Sequence, residues 1–443
     1  MSLFNPSDLI PRIKRLSGKR TTTLSVVDIG STKICCVIAK LKPYDQRSML
    51  LKRSHSIQVI GFGYQKSQGV KAGVIVDMIE VEKSIRLAVH QAEQSAGLTV
   101  DSMMTTVSAR GFTSHLLTSG IMLKGNEVQK QDIREVLTAC HFDINQERRA
   151  ILHAIPITYS LDHETGIHNP EGLVGRKLSV NMHVVEVDIA PLNNIESCLN
   201  RSHLSLDAIV AEPYASGLAS LMDDEMRMGC ACIDMGGGTT TTSIFLNGDL
   251  VFIDSIAVGG NHATMDLAKI LSIPVADAER IKILRGSVLL TQAGDRDFVS
   301  VPVIGEDTRI IRHQVTQSHI SKIIRSRVEE TFEMVRDRIN QSCFANAVGK
   351  RLILTGGASQ LLGVGELASR ILGSSARIGR PLGISAMPKI AKSPAFSACF
   401  GMLIYPQISH LEYIPKKKHI KSIMQPLSES SFRRFSEWFR ESF

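Results

Sequence analysis

Two stretches of this chain carry one pattern. DIGSTKICCVIA (28–39) and DMGGGTTTTSIF (234–245) each run from a strand-like segment into Asp, through a Gly-rich polar turn, and out into a second strand-like segment, 206 residues apart. One such turn is what a tight β-hairpin ordinarily uses. Two in matching surroundings read as the corresponding turns of duplicated halves, facing each other across a cleft. That narrows the fold to an α/β architecture with two similar lobes, and 443 residues suffice for two or more cores.

The intervening segments fit this plan. TTTLSVVDIG (21–30) and KICCVIAKL (33–41) predict a hairpin with a polar tip, and SIQVIGFGY (56–64) a third strand. VEKSIRLAVHQAEQSAG (81–97) predicts an amphipathic helix closed by Gly97. Residues 98–164 hold a strand-like MMTTVSARGF (103–112), a helix in QKQDIREVLTACHF (129–142) and an extended ILHAIPITYSL (151–161), enough for a small module. A second large half begins near Asp207, where DAIVAEPYASGLASLM runs from strand to helix, and continues with three short strands in 231–260. Helical segments are expected at 262–284 and 318–342, then a strand at RLILTGG (351–357) and a helix to about Leu372.

A turn with Asp at a strand end, followed by Gly and Ser/Thr, aims several backbone N–H groups and hydroxyls at one point, which suits a phosphate. The candidates are Gly30, Ser31, Thr32 and Lys33 in the first turn and Gly236, Gly237, Gly238 and Thr239 in the second. A carboxylate beside a phosphate repels it unless a cation intervenes, so Asp28 and Asp234 are expected to face Mg²⁺ through its water shell. LTGGAS (354–359) is a strand entering a double glycine, and Gly356 and Gly357 would let a ligand approach the backbone. Glu279 and Lys282, three apart on one helical face, could hydrogen-bond a nucleoside or simply form a surface ion pair.

Charge points away from nucleic acid. The net +8 resides in the tails: residues 1–20 and 415–443 carry +4 each, and the body is neutral. Basic ends around a neutral body suit an anionic phospholipid membrane better than a nucleic-acid groove. The eight cysteines show no metal-ligand spacing and read as buried thiols of a reducing cytoplasm. No signal-peptide pattern and no run of about 18 apolar residues is present, so the chain is expected to be neither exported nor integral.

SSFRRFSEWFRESF (430–443) holds the sole tryptophan and four of the fifteen phenylalanines. On a helical wheel Phe432, Phe435, Trp438, Phe439 and Phe443 span an arc of about 140°, with Arg433, Arg434, Glu437, Arg440 and Glu441 opposite. Behind a Pro-, Ser- and Lys-rich linker this is the pattern of an interfacial membrane helix. Docking on the protein's own core is the alternative.

Taken together, the segments resemble the actin, DnaK-type chaperone and sugar-kinase superfamily. DIGSTK looks like its first phosphate loop, IVAEPYASGLA its first connecting helix, DMGGGT its second phosphate loop, LTGGAS its adenosine loop and PAFSACFGMLIY (394–405) its second connecting helix. Within it the chain is most similar to the FtsA cell-division family, above all in LHAIPITYSLDHETGIHNPEGLVGRKL (152–178), with its HxIPxxYxxD and GIxNPxGLxGxxL patterns. GVKAGVIVDM (69–78), AVGGNHATMDLA (257–268) and ADAERIK (276–282) agree.

The resemblance implies an actin-like two-lobed ATPase fold with duplicated RNase H-like halves and a family-specific 1C subdomain. On this chain that gives a basic tail (1–20), subdomain 1A (21–83 and 165–206), 1C (84–164), 2A (207–258 and 321–405), 2B (259–320), a basic linker (406–426) and a membrane helix (427–443). It implies ATP and Mg²⁺ between the lobes, self-polymerisation, and a tether for the FtsZ C-terminal tail, to which Arg309 and Arg312 of 2B are assigned. It also implies recruitment of later divisome membrane proteins to the septum, on the cytoplasmic side of the inner membrane. Glu212 falls where active ATPases of the superfamily carry an acid or Gln; FtsA proteins vary there, so Glu212 or Asp234 would position water in a slow hydrolysis at most. A small-molecule kinase of the same superfamily is the rival reading, although no residue stands out as its catalytic base.

Overall fold

The computed structural model describes residues 15–44, 53–108, 111–140, 148–302, 312–345 and 350–414, with Pro11, Ile13 and Val348. Along the chain, β1 (Thr22–Ile29), β2 (Lys33–Pro43) and β3 (His55–Lys66) form an antiparallel meander. Helix α1 (Met78–Ala96) covers it, and β4 (Ser102–Val107) returns parallel to β1. An inserted module follows, made of β5 (Thr113–Met122), α2 (Lys130–Thr138), β6 (Arg149–Leu161), β7 (Glu164–Ile167) and β8 (Lys177–Asp188). Its sheet runs β5-β8-β6-β7, antiparallel throughout. Helix α3 (Ile189–Arg201) and β9 (Ser205–Ala211) rejoin the first sheet, and α4 (Glu212–Ser220) leads out of it.

The second lobe repeats the scheme. Strands β10 (Cys230–Met235), β11 (Thr240–Leu246) and β12 (Asp249–Ile256) form its meander. Helices α5 (Gly260–Ile270) and α6 (Val275–Arg285), a ribbon of Phe298–Pro302 with Arg312–Thr316, and α7 (Gln317–Gln341) come next. Then β13 (Arg351–Thr355), α8 (Val364–Leu372) and β14 (Ser375–Ile378) complete the lobe, and α9 (Ser397–Met402) packs across α4. The sheet orders are β9-β4-β1-β2-β3, with Ile384–Ser385 added beside β3, and β14-β13-β10-β11-β12. In both, a meander is extended by two parallel strands. The halves are therefore duplicated in topology as well as in their turns.

Central strands are covered on both faces, which is why they read as unbroken apolar runs. Residues Ile34 to Ala39 of β2 and Cys230 to Ile233 of β10 are all buried. Helix α1 is capped by the Asp77 carboxylate, which accepts from the Ile79 and Glu80 N–H groups. It lies so close to β3 that a Cβ on Gly61 or Gly63 would overlap the carbonyls of Ala92 and Ala88. The inserted module docks on the second lobe through buried His183, whose Nδ1–H donates to the Leu250 carbonyl at 3.1 Å. Its Nε2 accepts from the Ser114 hydroxyl at 2.8 Å, and that oxygen accepts the Ile253 N–H at 2.9 Å. Burial lowers the pKa of His183 to about 3, keeping it neutral at the interface.

The structure moves several expected boundaries. α1 and β4 belong to the first lobe, and β8 belongs to the module, so the insert spans Thr113 to Asp188 rather than 84–164. The strand β4, with the sequence SMMTTV, is a buried inner strand of the larger sheet, a role its half-polar residues do not reveal. β9 pairs with β4, so the second lobe begins after Ala211, not at Asp207. The helical stretch 262–284 is broken at Pro274, where the chain turns into α6. The connecting segment 394–405 is helical only at Ser397–Met402, with short 3₁₀ turns on either side. Tyr405, Pro406, Gln407 and Ile408 are packed, and the Tyr413 N–H donates to the Ala154 carbonyl at 2.8 Å, so 406–414 is not linker. The stretch 427–443, Lys416 to Lys418 and Arg309 lie outside the described residues; Arg312 opens a strand, its side chain undescribed.

Candidate functional site

The two Gly-rich turns meet where the lobes face each other. Each is closed in the same way: a Cβ on Gly30 would lie 2.9 Å from the Lys33 carbonyl oxygen, and one on Gly236 would lie 2.9 Å from that of Thr239. In the first turn the Gly30 N–H donates to the Lys33 carbonyl at 3.1 Å. Across the cleft Gly237 abuts Thr32, and Gly238 abuts Ser31 and the Ala72 backbone, leaving room for no side chain. One cavity is lined by Asp28, Gly30, Ser31, Thr32 and Lys33 from the first lobe and by Asp234, Gly236, Gly237, Gly238, Thr239, Gly356 and Gly357 from the second. Glu212, first residue of α4, completes it.

Glu279 and Lys282 are not among the residues that line this cavity. Lys282 Nζ lies 2.7 Å from Glu279 Oε2 and donates to the Gly260 carbonyl at 3.0 Å and the Thr264 hydroxyl at 2.8 Å. Gly260 in turn donates its N–H to the Gly236 carbonyl at 2.9 Å and approaches Ala358 beside the Gly356–Gly357 turn. The pair is thus an ion pair that supports the second turn and borders the third. Several contributors carried no isolated sequence signal: Gly73, Ser108, Ala395 and Ala398 line the cavity, and Thr106, Ser216 and Thr241 hold its carboxylates. Ser216 was legible in principle, one helical turn after Glu212. Thr106 and Thr241 arrive from strands, Ala395 and Ala398 from the segment that begins α9, and Gly73 and Ser108 from loops, and only the fold brings them together.

The electrostatics are anionic. Asp28 accepts from the Thr106 hydroxyl at 2.7 Å, Asp234 from the Ser216 hydroxyl at 2.5 Å, and Glu212 from the Thr241 hydroxyl at 2.7 Å. All three carboxylates are buried, and Lys33 is the one basic side chain among the lining residues, its Nζ 4.9 Å from the Phe396 ring centre. Burial raises the Asp28 carboxyl above its usual range against the pull of Lys33 and the Thr106 hydrogen bond, and Asp234 adds to the rise. Burial, then Asp234, push Glu212 well above the usual range. Among the described residues no three His, Cys, Asp or Glu side chains close on one point as a metal cage. Asp28 and Asp234, carboxylates of the two facing lobes each held by a hydroxyl donor, suit a hydrated divalent cation that meets them through water. A roomier cavity of about 470 Å³ beyond α4, walled by Tyr159, Tyr214, Phe245 and Ile404, holds neither turn and none of these three carboxylates.

The Glu212 shift has a measurable consequence. A carboxyl raised in the fold stabilises the protein below its unfolded value of 4.5, and that stability is lost as pH rises through the folded value. Glu212→Gln should therefore raise the thermal midpoint of the nucleotide-free, metal-free protein at pH 7.5, with the gain shrinking toward pH 4.5. A lower midpoint at pH 7.5 would contradict this burial.

The model for "Cell division protein FtsA" matches residues 231–401, and that for "SHS2 domain inserted in FTSA" matches residues 110–186. The cell division protein FtsA of Agrobacterium fabrum is 49% identical over 446 residues, covering 100% of both chains. The chain belongs to the FtsA family. The Escherichia coli FtsA is 27% identical over 426 residues, with 94% of this chain and 97% of that one covered. Among solved structures, the PilM–PilN type IV pilus biogenesis complex aligns with a TM-score of 0.57 at 14% identity, covering 89% of this chain and 99% of that one. MreB 5 of Spiroplasma citri bound to AMPPNP aligns at 0.51 and 14%, covering 88% and 98%. At such identities these two show the fold alone, which is actin-like. The FtsA-family SHS2 match coincides with the module found between Thr113 and Asp188.

Proposed function

We propose that this FtsA-family protein binds ATP with Mg²⁺ between its lobes, polymerises on the cytoplasmic face of the inner membrane, tethers FtsZ filaments there and recruits later divisome proteins. The observation that carries this is the convergence of two matching turns, each following a strand whose penultimate residue is Asp, at one cavity lined by buried carboxylates. The turn N–H groups with Ser31, Thr32 and Thr239 cradle the phosphates, and Lys33 supplies a positive charge. Asp28 and Asp234 would hold the metal through its water shell, and the ion when bound would neutralise charge on the phosphates. Glu212 or Asp234 positions the attacking water, and hydrolysis is slow. Gly356 and Gly357 lie along the nucleoside, with Glu279 and Lys282 at the nucleoside as hydrogen-bonding partners. MreB 5 of Spiroplasma citri, which shares the fold, was solved bound to AMPPNP, and this supports the reading.

Membrane attachment belongs to residues 427–443, whose Phe432, Phe435, Trp438, Phe439 and Phe443 form the apolar arc and whose Arg433, Arg434 and Arg440 face anionic lipid. One such helix is a reversible anchor; a row of them held by a polymer binds far more firmly through effective concentration. Arg309 and Arg312 are the proposed contacts for the acidic FtsZ tail. Deleting 427–443 should abolish cosedimentation with anionic liposomes while leaving ATP binding intact. In the full chain, the Trp438 emission should shift to the blue on adding the same vesicles. Pelleting that persists after the deletion, or an unmoved spectrum, would refute the tail assignment.

A further inference from the structure

The HxIP motif has a place in the fold that the proposed function leaves unused. Its histidine, His153, is wholly buried on β6 of the inserted module. The Ala211 N–H donates to His153 Nε2 at 3.0 Å, so that nitrogen carries no proton and Nδ1 bears the hydrogen. Nδ1–H points to the Glu412 carboxylate, 3.1 Å from each oxygen. The ring stands nearly perpendicular to Tyr214 at 5.2 Å and is tilted 71° to Tyr405 at 5.6 Å, so it is fixed in rotation as well as in tautomer. Ala211 is the residue immediately before Glu212 and caps α4 with a methyl group that can accept no hydrogen bond. Glu412 stands two residues before the end of the described chain, where the Tyr413 N–H is tied to Ala154.

We infer that His153 is a positioning residue for Glu212, held in place by Glu412, so that one buried imidazole joins the nucleotide cavity to the point from which the C-terminal tail departs. Apolar packing would fill this space, but only a donor on one side and an acceptor on the other fix the Ala211 amide along a single direction. The direction of α4's first residue sets where the Glu212 carboxylate enters the cavity. A displacement of the Glu412 backbone is therefore transmitted through two hydrogen bonds to that carboxylate. The inference rests on the reading of Glu212 as a water-positioning group, and its test separates the two.

The full chain is compared with His153→Phe, Glu412→Ala and Glu412→Gln. Amide hydrogen exchange in the peptide 207–216 reads the tie without nucleotide: both disruptive variants should exchange faster there, with Glu412→Gln, which keeps an acceptor for Nδ1–H, restoring most of the protection. Steady-state hydrolysis of Mg·ATP should show kcat falling about tenfold in His153→Phe and Glu412→Ala with KM moving less than about twofold, and Glu412→Gln recovering most of the loss. Unchanged exchange at 207–216 in both disruptive variants would overturn the tie. KM and kcat falling into the same proportion as each other, with no recovery by Glu412→Gln, would overturn the positioning role. Absent turnover in the unsubstituted protein would instead remove Glu212 from hydrolysis, while the exchange data still decide whether the imidazole holds α4.

Discussion

Asp234→Ala should weaken Mg·ATP binding by about 100-fold, a loss of about 2.7 kcal/mol. The carboxylate is fixed from two sides: the Ser216 hydroxyl donates to one oxygen, and the other lies against Gly356, where even a methyl group would overlap it. No rotamer change elsewhere can replace an acid held this way, and its counterpart Asp28 approaches from the other lobe. A fluorescent ATP analogue titrated in the presence and absence of Mg²⁺ measures the effect. The difference between the two titrations should largely disappear in the variant, because the lost group acts through the cation. Unaltered affinity would remove Asp234 from the site.

The largest effect on folding is expected from Gly401→Ala. A Cβ there would collide with the carbonyl group of Ala215, backbone against backbone, where α9 crosses α4. Neither side can yield by turning a side chain, so about 3 kcal/mol or more is at stake. For lobes of this size that corresponds to a fall of about 6–12 °C in thermal midpoint, read by differential scanning fluorimetry. Gly125→Ala is the matched control, since nothing lies within 4 Å of its added Cβ, and it should change stability by less than about 0.5 kcal/mol. Equal midpoints for the two variants would mean that the α4–α9 crossing is looser than described.

What the sequence made legible follows from how local each signal is. The twin turns were readable because Asp, Gly and Thr act within a few residues, and the same closure recurs at Gly30 and Gly236. α1 was readable because its buried Val81, Ile85, Ala88 and Ala92 repeat at helical spacing before Gly97. The module boundary was not, since β4 and β8 are strands whose sheet membership is decided by partners far away in the chain. Likewise Thr106 and Thr241 are ordinary strand residues until the fold sets them against Asp28 and Glu212. Glu279 and Lys282 show the converse: their spacing foretold an ion pair, and only the contact of Lys282 with Gly260 places that pair beside the second turn.

Electron microscopy of the full chain on an anionic lipid monolayer tests nucleotide, polymer and membrane together. Ordered filaments are predicted with Mg·ATP, and none without nucleotide, with Asp234→Ala, or after removal of 427–443. Filaments of equal abundance on the monolayer with and without nucleotide, or a bare monolayer with Mg·ATP and the intact chain, would contradict the proposal.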